Sequence, residues 1–363
     1  MGKRIVIAGG GTGGHIFPAI AIANALKHIE PDIEILFVGA KGKMEMEKVP
    51  QAGYRIEGLD IAGFNRSSLI KNVGLPFKLL RSFLQVRKIF RQFKPDAAIG
   101  VGGYSSFPVL RLAQARGIPT FIHESNSFAG KSNILLGKKA TKIFTGTAEM
   151  EKFFPAEKII QTGNPVRSAI TGSTADREEA LRFFSLETGK KTLLVVGGSL
   201  GAKTINEAID KDLDQLLEKG IQVIWQTGKP YAGKAAEKVK GKQGARASDF
   251  ITAMDKAYAA ADLVVARAGA MTVAELAVAG KPALFVPYPY AAEDHQAVNA
   301  LALVKKEAAQ LIKDSEAGEK LVPAAIALLE DNAERAKMQS NMAALAVKDA
   351  DIKIAAAVLK EIK

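Results

Sequence analysis

The chain has 363 residues, enough for two ordinary domains, and its 48% hydrophobic and 24% charged residues are typical of a folded globular protein. It contains no cysteine, which excludes disulfides and thiolate metal sites and fits a reducing compartment. Strand-like sequence begins at Arg4, so we expect no signal peptide, and no apolar run reaches the roughly 20 residues that span a bilayer. The net charge of +12 predicts an anionic partner, namely nucleic acid, acidic lipid or a phosphorylated substrate.

A glycine turn follows the first predicted strand. The strand covers residues 4–8, the turn residues 9–14, and a helical pattern then runs over residues 17–26. Three glycines of the turn fit the G-x-G-x-x-G pattern of dinucleotide sites, but such a site also needs an acidic residue after the second strand. That strand, residues 35–38, is followed by Gly39 and an alanine, which argues against a nicotinamide-dependent oxidoreductase. A P-loop is excluded too, because no glycine turn is followed by Lys-Ser or Lys-Thr in register.

The segment 66–94 is basic and apolar, and no acidic residue lies between Asp60 and Asp96. From Pro76 onwards, apolar residues recur at helical spacing with lysines and arginines beside them. Such a helix can lie in the interface of an anionic membrane; the alternative is a core helix with a solvated basic face. Nucleic acid is a third option, but no groove-reading motif or stacking platform is visible. The residues predicted to face a membrane are Leu75, Phe77, Lys78, Leu80, Arg81, Leu84, Arg87 and Lys88.

Two further turns follow buried strands in the first half. Another glycine turn covers residues 100–108, and the strand at 120–122 ends in polar residues at 123–126. Because ligands of open α/β sheets bind beyond the carboxyl ends of the strands, we expect these polar residues to share one rim. The predicted rim consists of His15, Tyr104, Ser105, Ser106, Glu124 and Asn126.

The second half repeats the order of strand, glycine turn and helix. The strand covers residues 191–196, the turn 197–202 and the helix 204–217. Together with the strands predicted elsewhere, this repeat predicts two doubly wound α/β domains, joined near residues 163–167. The other predicted strands are 34–38, 97–101 and 223–226.

Residues 263–299 are the most informative part of the sequence. A strand at 263–266 breaks at Arg267-Ala268-Gly269, a helix opens at Ala270 and closes at Gly280, and a second strand covers 283–286. A helix amino terminus after such a turn holds phosphate, and Glu275 can accept hydrogen bonds from the two hydroxyls of a ribose. The alternative is that Thr272 and Glu275 form only a capping box.

A metal site is not required by any pattern in the sequence. Asp210, Asp212 and Asp214 spell D-x-D twice, but they fall in the middle of a predicted helix, where residues two apart point to different faces. We therefore interpret them as a solvated helix surface, and we expect no cofactor; a divalent metal would have no ligand motif.

Six segments resemble, in order, those of the MurG family of peptidoglycan N-acetylglucosaminyltransferases. They are GGGTGGHIFPA at 9–19, GVGGYSSFP at 100–108, HESN at 123–126, GNPVR at 163–167, GGSLGA at 197–202 and the run 267–300. The resemblance implies a GT-B fold, in which two Rossmann-like domains face each other across a cleft. We expect an acceptor and membrane domain at 1–163, a donor domain at 164–345 and a terminal helix at 346–363 that crosses back to the first domain.

The resemblance also implies an activity. It is the transfer of N-acetylglucosamine from UDP-N-acetylglucosamine to the muramoyl-pentapeptide of lipid I, forming lipid II, at the cytoplasmic face of the cell membrane. The protein would be attached peripherally, without a nucleic-acid partner, and its oligomeric state stays open. Alternatives are another enzyme of this fold acting on UDP-N-acetylglucosamine, such as a 2-epimerase or a different lipid glycosyltransferase, and a non-enzymatic basic scaffold.

The family's site residues transfer to matching positions. The resemblance places Tyr104, Ser105 and Ser106 on the acceptor side. Simpler roles stay open for some donor residues: an interdomain ion pair for Arg167, a loop hydroxyl for Ser199 and a surface position for Gln296. The implied donor-binding residues are Thr12, Gly13, Gly14, Asn126, Arg167, Ser199, Ile251, Ala270, Met271, Thr272, Val273, Ala274, Glu275 and Gln296.

An α-linked donor that gives a β-linked product requires inversion, and hence a base for the acceptor hydroxyl. His15 is the first candidate, because the unperturbed pKa of histidine is near neutrality. Its place at a helix amino terminus disfavours its protonated form, so it could instead donate a hydrogen bond to phosphate or sugar. Glu124 is the second candidate.

Overall fold

The computed structural model describes residues 2–63, 74–291 and 294–362 and divides the chain into two compact units. Unit 1 comprises Met1–Arg167 and Asp349–Lys363, and unit 2 comprises Ser168–Lys348. Residues 66–73, which begin the predicted basic segment, lie outside the described residues, as do Ala292 and Glu293.

Unit 1 is built from alternating strands and helices. Its strands are β1 (Arg4–Ala8), β2 (Glu34–Ala40), β3 (Arg55–Leu59), β4 (Ala97–Gly100), β5 (Thr120–Glu124), β6 (Lys142–Thr145) and β7 (Ile159–Gln161). The helices between them are α1 (Gly13–Ile29), α2 (Glu45–Gln51), α3 (Leu75–Phe93), α4 (Ser106–Ala115) and α5 (Lys131–Gly137).

The described strands of unit 1 form a parallel seven-stranded sheet in the order β3-β2-β1-β4-β5-β6-β7. In β1, Val6 pairs with Leu36 on one side and with Ala98 on the other. The central strands are apolar runs because helices cover both faces of the sheet. The chain order reverses between β1 and β4, which makes the end of this strand pair the switch point where ligands bind in such folds.

Unit 2 repeats this architecture. Its helices are α6 (Ser168–Thr171), α7 (Arg177–Phe183), α8 (Lys203–Glu218), α9 (Lys229–Val239), α10 (Met254–Ala260), α11 (Ala270–Ala279), α12 (His295–Val304), α13 (Ala317–Glu330) and α14 (Asn332–Ala343). Its strands are β8 (Thr192–Val196), β9 (Gln222–Gln226), β10 (Ala245–Ser248), β11 (Leu263–Ala266), β12 (Ala283–Phe285) and β13 (Ala309–Leu311).

The described strands of unit 2 form a parallel six-stranded sheet in the order β10-β9-β8-β11-β12-β13. Its core contains the fully buried Trp225 and Phe285. Here the chain order reverses between β8 and β11, whose register pairs Leu193 with Leu263. The switch point of unit 2 therefore lies beyond Val196 and Ala266, where the two predicted glycine-containing turns begin.

The last helix, α15 (Ala350–Glu361), belongs to unit 1. It packs against α1, and its buried Ile354 and Val358 join the same core as Ile5 and Ile7 of β1. Along the described part of the chain, no helix combines the length and the apolarity needed to cross a bilayer.

Candidate active site

In unit 1, the turn after β1 places His15 in the first turn of α1. The His15 Nδ1 atom lies 3.1 Å from the carbonyl oxygen of Gly10. Because a carbonyl oxygen only accepts hydrogen bonds, this contact selects the tautomer of the neutral ring that has its proton on Nδ1 and its lone pair on Nε2. Thr12 is exposed beside it, whereas Gly13 is buried and Gly14 half-buried.

The turn after β4 packs directly against this histidine. Gly102 has φ = 95°, and a Cβ atom there would lie 2.7 Å from His15 Nε2. A Cβ atom on Gly103 would lie 2.4 Å from the carbonyl oxygen of Gly10. Glycine is therefore required at both positions for the two turns to meet at the switch point of unit 1.

Glu45, which no sequence pattern identified, holds the glycine turn after β1 through hydrogen bonds. It is the first residue of α2 and is 1% exposed. Its Oε2 accepts the backbone N–H of Gly11 and its Oε1 the N–H of Ala40, each at 2.9 Å. A Cβ atom on Gly10 would collide with this carboxylate, so the buried charge and the glycine turn fit each other closely.

The three predicted acceptor-side residues differ in exposure. Tyr104 is 50% exposed at the rim, next to Gly63. Ser105 and Ser106 are buried, and the Ser106 hydroxyl donates to the carbonyl oxygens of Ala8 and Gly102. Tyr104 is thus accessible from outside, whereas Ser106 ties the turn to β1.

Glu124 organises the loop after β5. Its carboxylate accepts the N–H and the side-chain amide of Asn126, the N–H of Gly130 and the amide of Asn133, at 2.8 to 3.2 Å. The residue is 4% exposed. A carboxylate with four donors is well suited to hold Asn126 in place, and this favours a positioning role over proton transfer.

Two further side chains of unit 1 interact with His15 or with its helix. His123 is fully buried, and burial lowers its pKa to about 4, with a smaller contribution from His15. The Arg167 guanidinium lies over the Phe17 ring, 4.4 Å from its centroid. Phe17 belongs to α1, so within unit 1 Arg167 lies near the helix that carries His15.

In unit 2, the turn after β8 leads into α8. Gly201 has φ = 80°, and a Cβ atom there would lie 2.1 Å from the carbonyl oxygen of Thr227, so this turn packs tightly on the end of β9. Ser199 is half-buried in the turn. The backbone N–H groups at the start of α8 therefore point towards the switch point of the sheet.

Gln226, at the end of β9, joins this turn to the segment after β10. Its amide nitrogen donates to the carbonyl oxygen of Gly198 (3.2 Å), and its oxygen accepts the N–H of Ile251 (2.9 Å). Ile251 is 5% exposed and lies beyond the end of β10. Sequence analysis missed Gln226 because no local pattern marks it.

The third turn of unit 2 leads into α11 as predicted, with Gly269 as the N-cap residue and Ala270 as the first helical residue. The capping-box alternative is wrong, because Thr272 is then the third residue of the helix rather than its cap. Gly280, at φ = 59°, ends the helix. Among the other predicted donor-binding residues of this turn, Ala270 is 8% exposed, while Met271, Val273 and Ala274 are half-buried.

Glu275 is buried at 8% exposure, one turn into α11. The hydroxyl of Tyr258 on α10, 3% exposed, donates to its Oε2 at 3.0 Å. Tyr258 was not identified from the sequence. The bond fixes the Glu275 carboxylate near the amino end of the helix, where a ribose beside a phosphate would need it.

The turn before α12 carries the last predicted residue. Gln296 lies in the first turn of α12 and accepts the backbone N–H of Tyr288 at 3.0 Å. The Asn299 amide donates to the carbonyl oxygen of Ala268 at 3.0 Å, which fastens α12 to the turn before α11. Gln296 therefore lies at the start of a helix that is fastened to the turn before α11.

Helix α3 exposes an apolar and basic face. It begins at Leu75, with Pro76 in its first turn as predicted. Phe77, Leu80 and Leu84 are 77%, 62% and 60% exposed, and the opposite face is buried at Val86, Ile89 and Phe90. The alternative of an ordinary core helix does not explain three large exposed apolar side chains. The predicted cations Lys78, Arg81, Arg87 and Lys88 are exposed, and Leu75 is half-buried.

Two of the three aspartates of α8 form ion pairs with lysines. Asp210 accepts from Tyr231 and Lys234, and Asp214 pairs with Lys238 and Lys242. In the described ranges, no group of three or more histidine, cysteine, aspartate or glutamate side chains is placed to hold a metal ion.

Two family models match the chain: the N-terminal domain of glycosyltransferase family 28 over residues 5–145 and its C-terminal domain over residues 192–354. A Parabacteroides distasonis protein is 53% identical over 94% of both chains; its name is UDP-N-acetylglucosamine–N-acetylmuramyl-(pentapeptide) pyrophosphoryl-undecaprenol N-acetylglucosamine transferase. The crystal structure of Acinetobacter baumannii MurG superposes with a TM-score of 0.74, at 29% identity over 99% of both chains. The chain belongs to the MurG family of glycosyltransferases.

Membership of the MurG family confirms the predicted resemblance and the predicted pair of Rossmann-like domains. The chain is thus a glycosyltransferase by family. A UDP-GlcNAc 2-epimerase from Neisseria meningitidis has the same fold, with a TM-score of 0.68 over 99% of this chain and 100% of that one. At 15% identity to the chain, this epimerase shows the shared fold alone.

Proposed function

We propose that the chain transfers N-acetylglucosamine from UDP-N-acetylglucosamine to the muramoyl-pentapeptide of lipid I, with inversion at the anomeric carbon, and so forms lipid II. The name of the Parabacteroides distasonis relative describes this transfer, and the similarity extends over 94% of both chains. The feature that carries the proposal is the amino-terminal half of α11, where the buried carboxylate of Glu275 follows one turn after the amides of the helix amino terminus.

Unit 2 binds the donor in this proposal. The amino termini of α8 and α11 follow the adjacent strands β8 and β11, so their N–H groups and dipoles act on the same anion, the diphosphate of UDP. Glu275 accepts the ribose hydroxyls, and Ile251 lines the space for uracil. Gln296 contacts the transferred sugar, and Ser199, in the turn before α8, contacts the phosphate.

Helix-end amides also assist the reaction itself. The departing UDP gains negative charge as the sugar is transferred, and fixed N–H donors stabilise that charge without reorganising. Removing one such donor in other enzymes slows the reaction by about 100- to 1,000-fold. The proposed chemistry therefore requires no cofactor.

Unit 1 supplies the base. The Gly10 carbonyl oxygen holds the proton of His15 on Nδ1, so Nε2 is the atom that accepts the proton of the acceptor hydroxyl. Glu124 keeps Asn126 in place for the transferred sugar, and Tyr104 borders the acceptor.

The activity is tested with radiolabelled UDP-N-acetylglucosamine and a soluble lipid I analogue. We expect label in the disaccharide product only when the acceptor is present. His15→Ala should lower kcat by about 100- to 10,000-fold, the usual contribution of a general base, with the Kd for UDP unchanged. Release of free N-acetylmannosamine without acceptor would indicate an epimerase and contradict the proposal. Unchanged kcat in the variant would remove His15 from the base role.

We also propose that α3 attaches the chain peripherally to the cytoplasmic face of the membrane. Phe77, Leu80 and Leu84 would enter the interface, while the cations beside them meet anionic headgroups. The acceptor in the proposed reaction is anchored in a membrane by its polyprenyl chain, so attachment of unit 1 brings the base to it.

A further inference from the structure

Unit 2 contains a basic cavity at the end of its sheet opposite the proposed donor site. The cavity has a volume of about 350 Å³ and lies where β11 and β12 begin, whereas the donor site lies where β8 and β11 end. Asp262 and Lys281 stand just before these strands, Arg177 starts α7, and Arg335 and Gln339 lie on one face of α14.

Cations outnumber anions around the cavity. Among its described lining residues, Arg177, Lys281 and Arg335 are basic, and Asp262 is the acidic one. Asp262 is already engaged, because it accepts the Arg177 guanidinium and the backbone N–H of Thr192, each at 2.8 Å. The lining therefore keeps a net charge of about two positive units.

Lys281 is the cation least compensated by the protein. Its ammonium group is largely buried and donates to the carbonyl oxygen of Ala261 at 2.9 Å. Burial, with a smaller contribution from Arg177, lowers the pKa of Lys281 to about 8, and Asp262 partly opposes the shift. A buried ammonium in this state is stabilised by any anion that enters the cavity.

Donors remain for such an anion. The ammonium of Lys281 has three N–H groups, of which the Ala261 carbonyl uses one. The Arg177 guanidinium has five, and its bonds go to Ala260, Lys190 and Asp262. Asn332 accepts Lys191 and Arg335 through Oδ1, which leaves its amide hydrogens for a ligand.

The shape of the cavity favours an anion that carries a small organic group. Ala259, Pro282 and Ala336 form its apolar wall. A phosphate monoester carries about two negative charges at pH 7, which matches the excess of cations. Asn332 is also the first residue of α14, whose dipole favours an anion at that end.

We propose that this cavity binds a dianionic phosphate group, either as free phosphate or as a small phosphate monoester. The site is separate from the donor site because it lies at the amino ends of the strands. The proposal therefore does not depend on the transferase assignment.

Calorimetry at constant ionic strength tests the proposal on the full chain. Saturating UDP fills the donor site, and inorganic phosphate or glycerol 3-phosphate is then titrated in. We expect saturable binding of one ligand per chain. Binding of phosphate alone identifies the free ion as the ligand, and stronger binding of the ester identifies the monoester; both results support the site.

Two variants assign the binding to the cavity. Lys281→Met removes the buried ammonium, and Gln339→Glu adds a negative charge without removing a hydrogen bond that holds the fold. Each should weaken binding at least about 10-fold, equivalent to 1.4 kcal/mol. Lys240→Met, at an exposed lysine of the same unit, is the control and should bind as the wild type does. No saturable binding, or binding unchanged in both cavity variants, would overturn the proposal.

Discussion

Tyr258 and Glu275 form the residue pair on which donor binding depends in the proposed reaction. The tyrosine hydroxyl fixes one carboxylate oxygen, so the carboxylate is already oriented before a ribose arrives. Such preorganisation lowers the entropy lost on binding. A plain helix cap would contribute only to stability, whereas this pair should affect nucleotide affinity.

Glu275→Ala is expected to raise the Kd for UDP-N-acetylglucosamine about 10- to 100-fold, the range of one charge-assisted hydrogen bond. Tyr258→Phe should raise it about 3- to 10-fold, because the carboxylate stays but loses its orientation. Calorimetric titration measures both. Tyr231→Phe, which removes a hydroxyl that donates to Asp210 instead, is the control. An unchanged Kd in Glu275→Ala would exclude the ribose role.

Glu45 is a positioning residue for the glycine turn of unit 1. Glu45→Gln replaces one acceptor oxygen by an amide that faces a backbone N–H, and so leaves a buried donor unsatisfied. We expect a loss of about 1 to 3 kcal/mol in the free energy of unfolding and a lower kcat, because the Gly10 carbonyl that orients His15 shifts.

Urea denaturation and the transfer assay measure these two effects. Glu47→Gln is the matched control, since this glutamate lies two residues away on α2 with its side chain 58% exposed. It should change stability by less than about 0.5 kcal/mol. Wild-type stability and kcat in Glu45→Gln would show that the turn does not need the buried charge.

At the scale of elements, the sequence predicted the strands and helices that are encoded by neighbouring residues. The strand at 263–266, the start of α11 at Ala270 and its end at Gly280 are confirmed, because apolar runs and glycine turns are encoded within about ten residues. Glu45, Gln226 and Tyr258 were missed, because each has a hydrogen-bond partner that lies 17 to 34 residues away in the chain.

The role of Glu124 shows the same limit. A carboxylate after a strand is a candidate base on sequence alone, and only the surrounding fold shows how many donors already occupy it. Its partners Gly130 and Asn133 follow six and nine residues later, at the start of α5, and no local pattern specifies how this helix packs against the end of β5. The sequence therefore shows that a carboxylate is present, but it does not show how many hydrogen-bond donors already bind that carboxylate.

Helix α3 gives a prediction at this scale. Combined reversal of Lys78, Arg87 and Lys88 to glutamate should weaken binding to anionic vesicles at least about 100-fold, since each cation contributes about 1 kcal/mol. Arg81 is left intact, because it pairs with Asp60. Co-sedimentation with vesicles containing phosphatidylglycerol measures the binding.

A matched variant tests whether the position of the charges matters. Reversal of the exposed Lys240, Lys305 and Lys306 of unit 2 changes the net charge equally and should leave vesicle binding nearly unchanged. Equal loss in both variants would show that net charge, rather than α3, drives the attachment.

At the scale of the whole molecule, the core of unit 1 is completed by the end of the chain. Ile354→Ala in α15 should lower the free energy of unfolding by about 2 to 5 kcal/mol, because it leaves a cavity beside α1. Ile352→Ala on the same helix, at a side chain 40% exposed, should cost less than about 0.5 kcal/mol. Urea unfolding followed by circular dichroism measures both.

The chain offers an internal reference for this measurement. Trp225 is its single tryptophan and lies in the core of unit 2, so its fluorescence follows that unit. We expect Ile354→Ala to change the circular dichroism transition and to leave the fluorescence midpoint in place. A shift of the fluorescence midpoint alone would contradict the assignment of α15 to unit 1.

The return of α15 to unit 1 has a consequence during synthesis. About 180 residues of unit 2 separate Arg167 from the helix that covers α1. At roughly 5 to 20 residues per second, the ribosome needs about 10 to 40 s to translate them. During this time the nascent first unit exposes the apolar surface that Ile354 and Val358 later cover, so this surface is where a chaperone would bind.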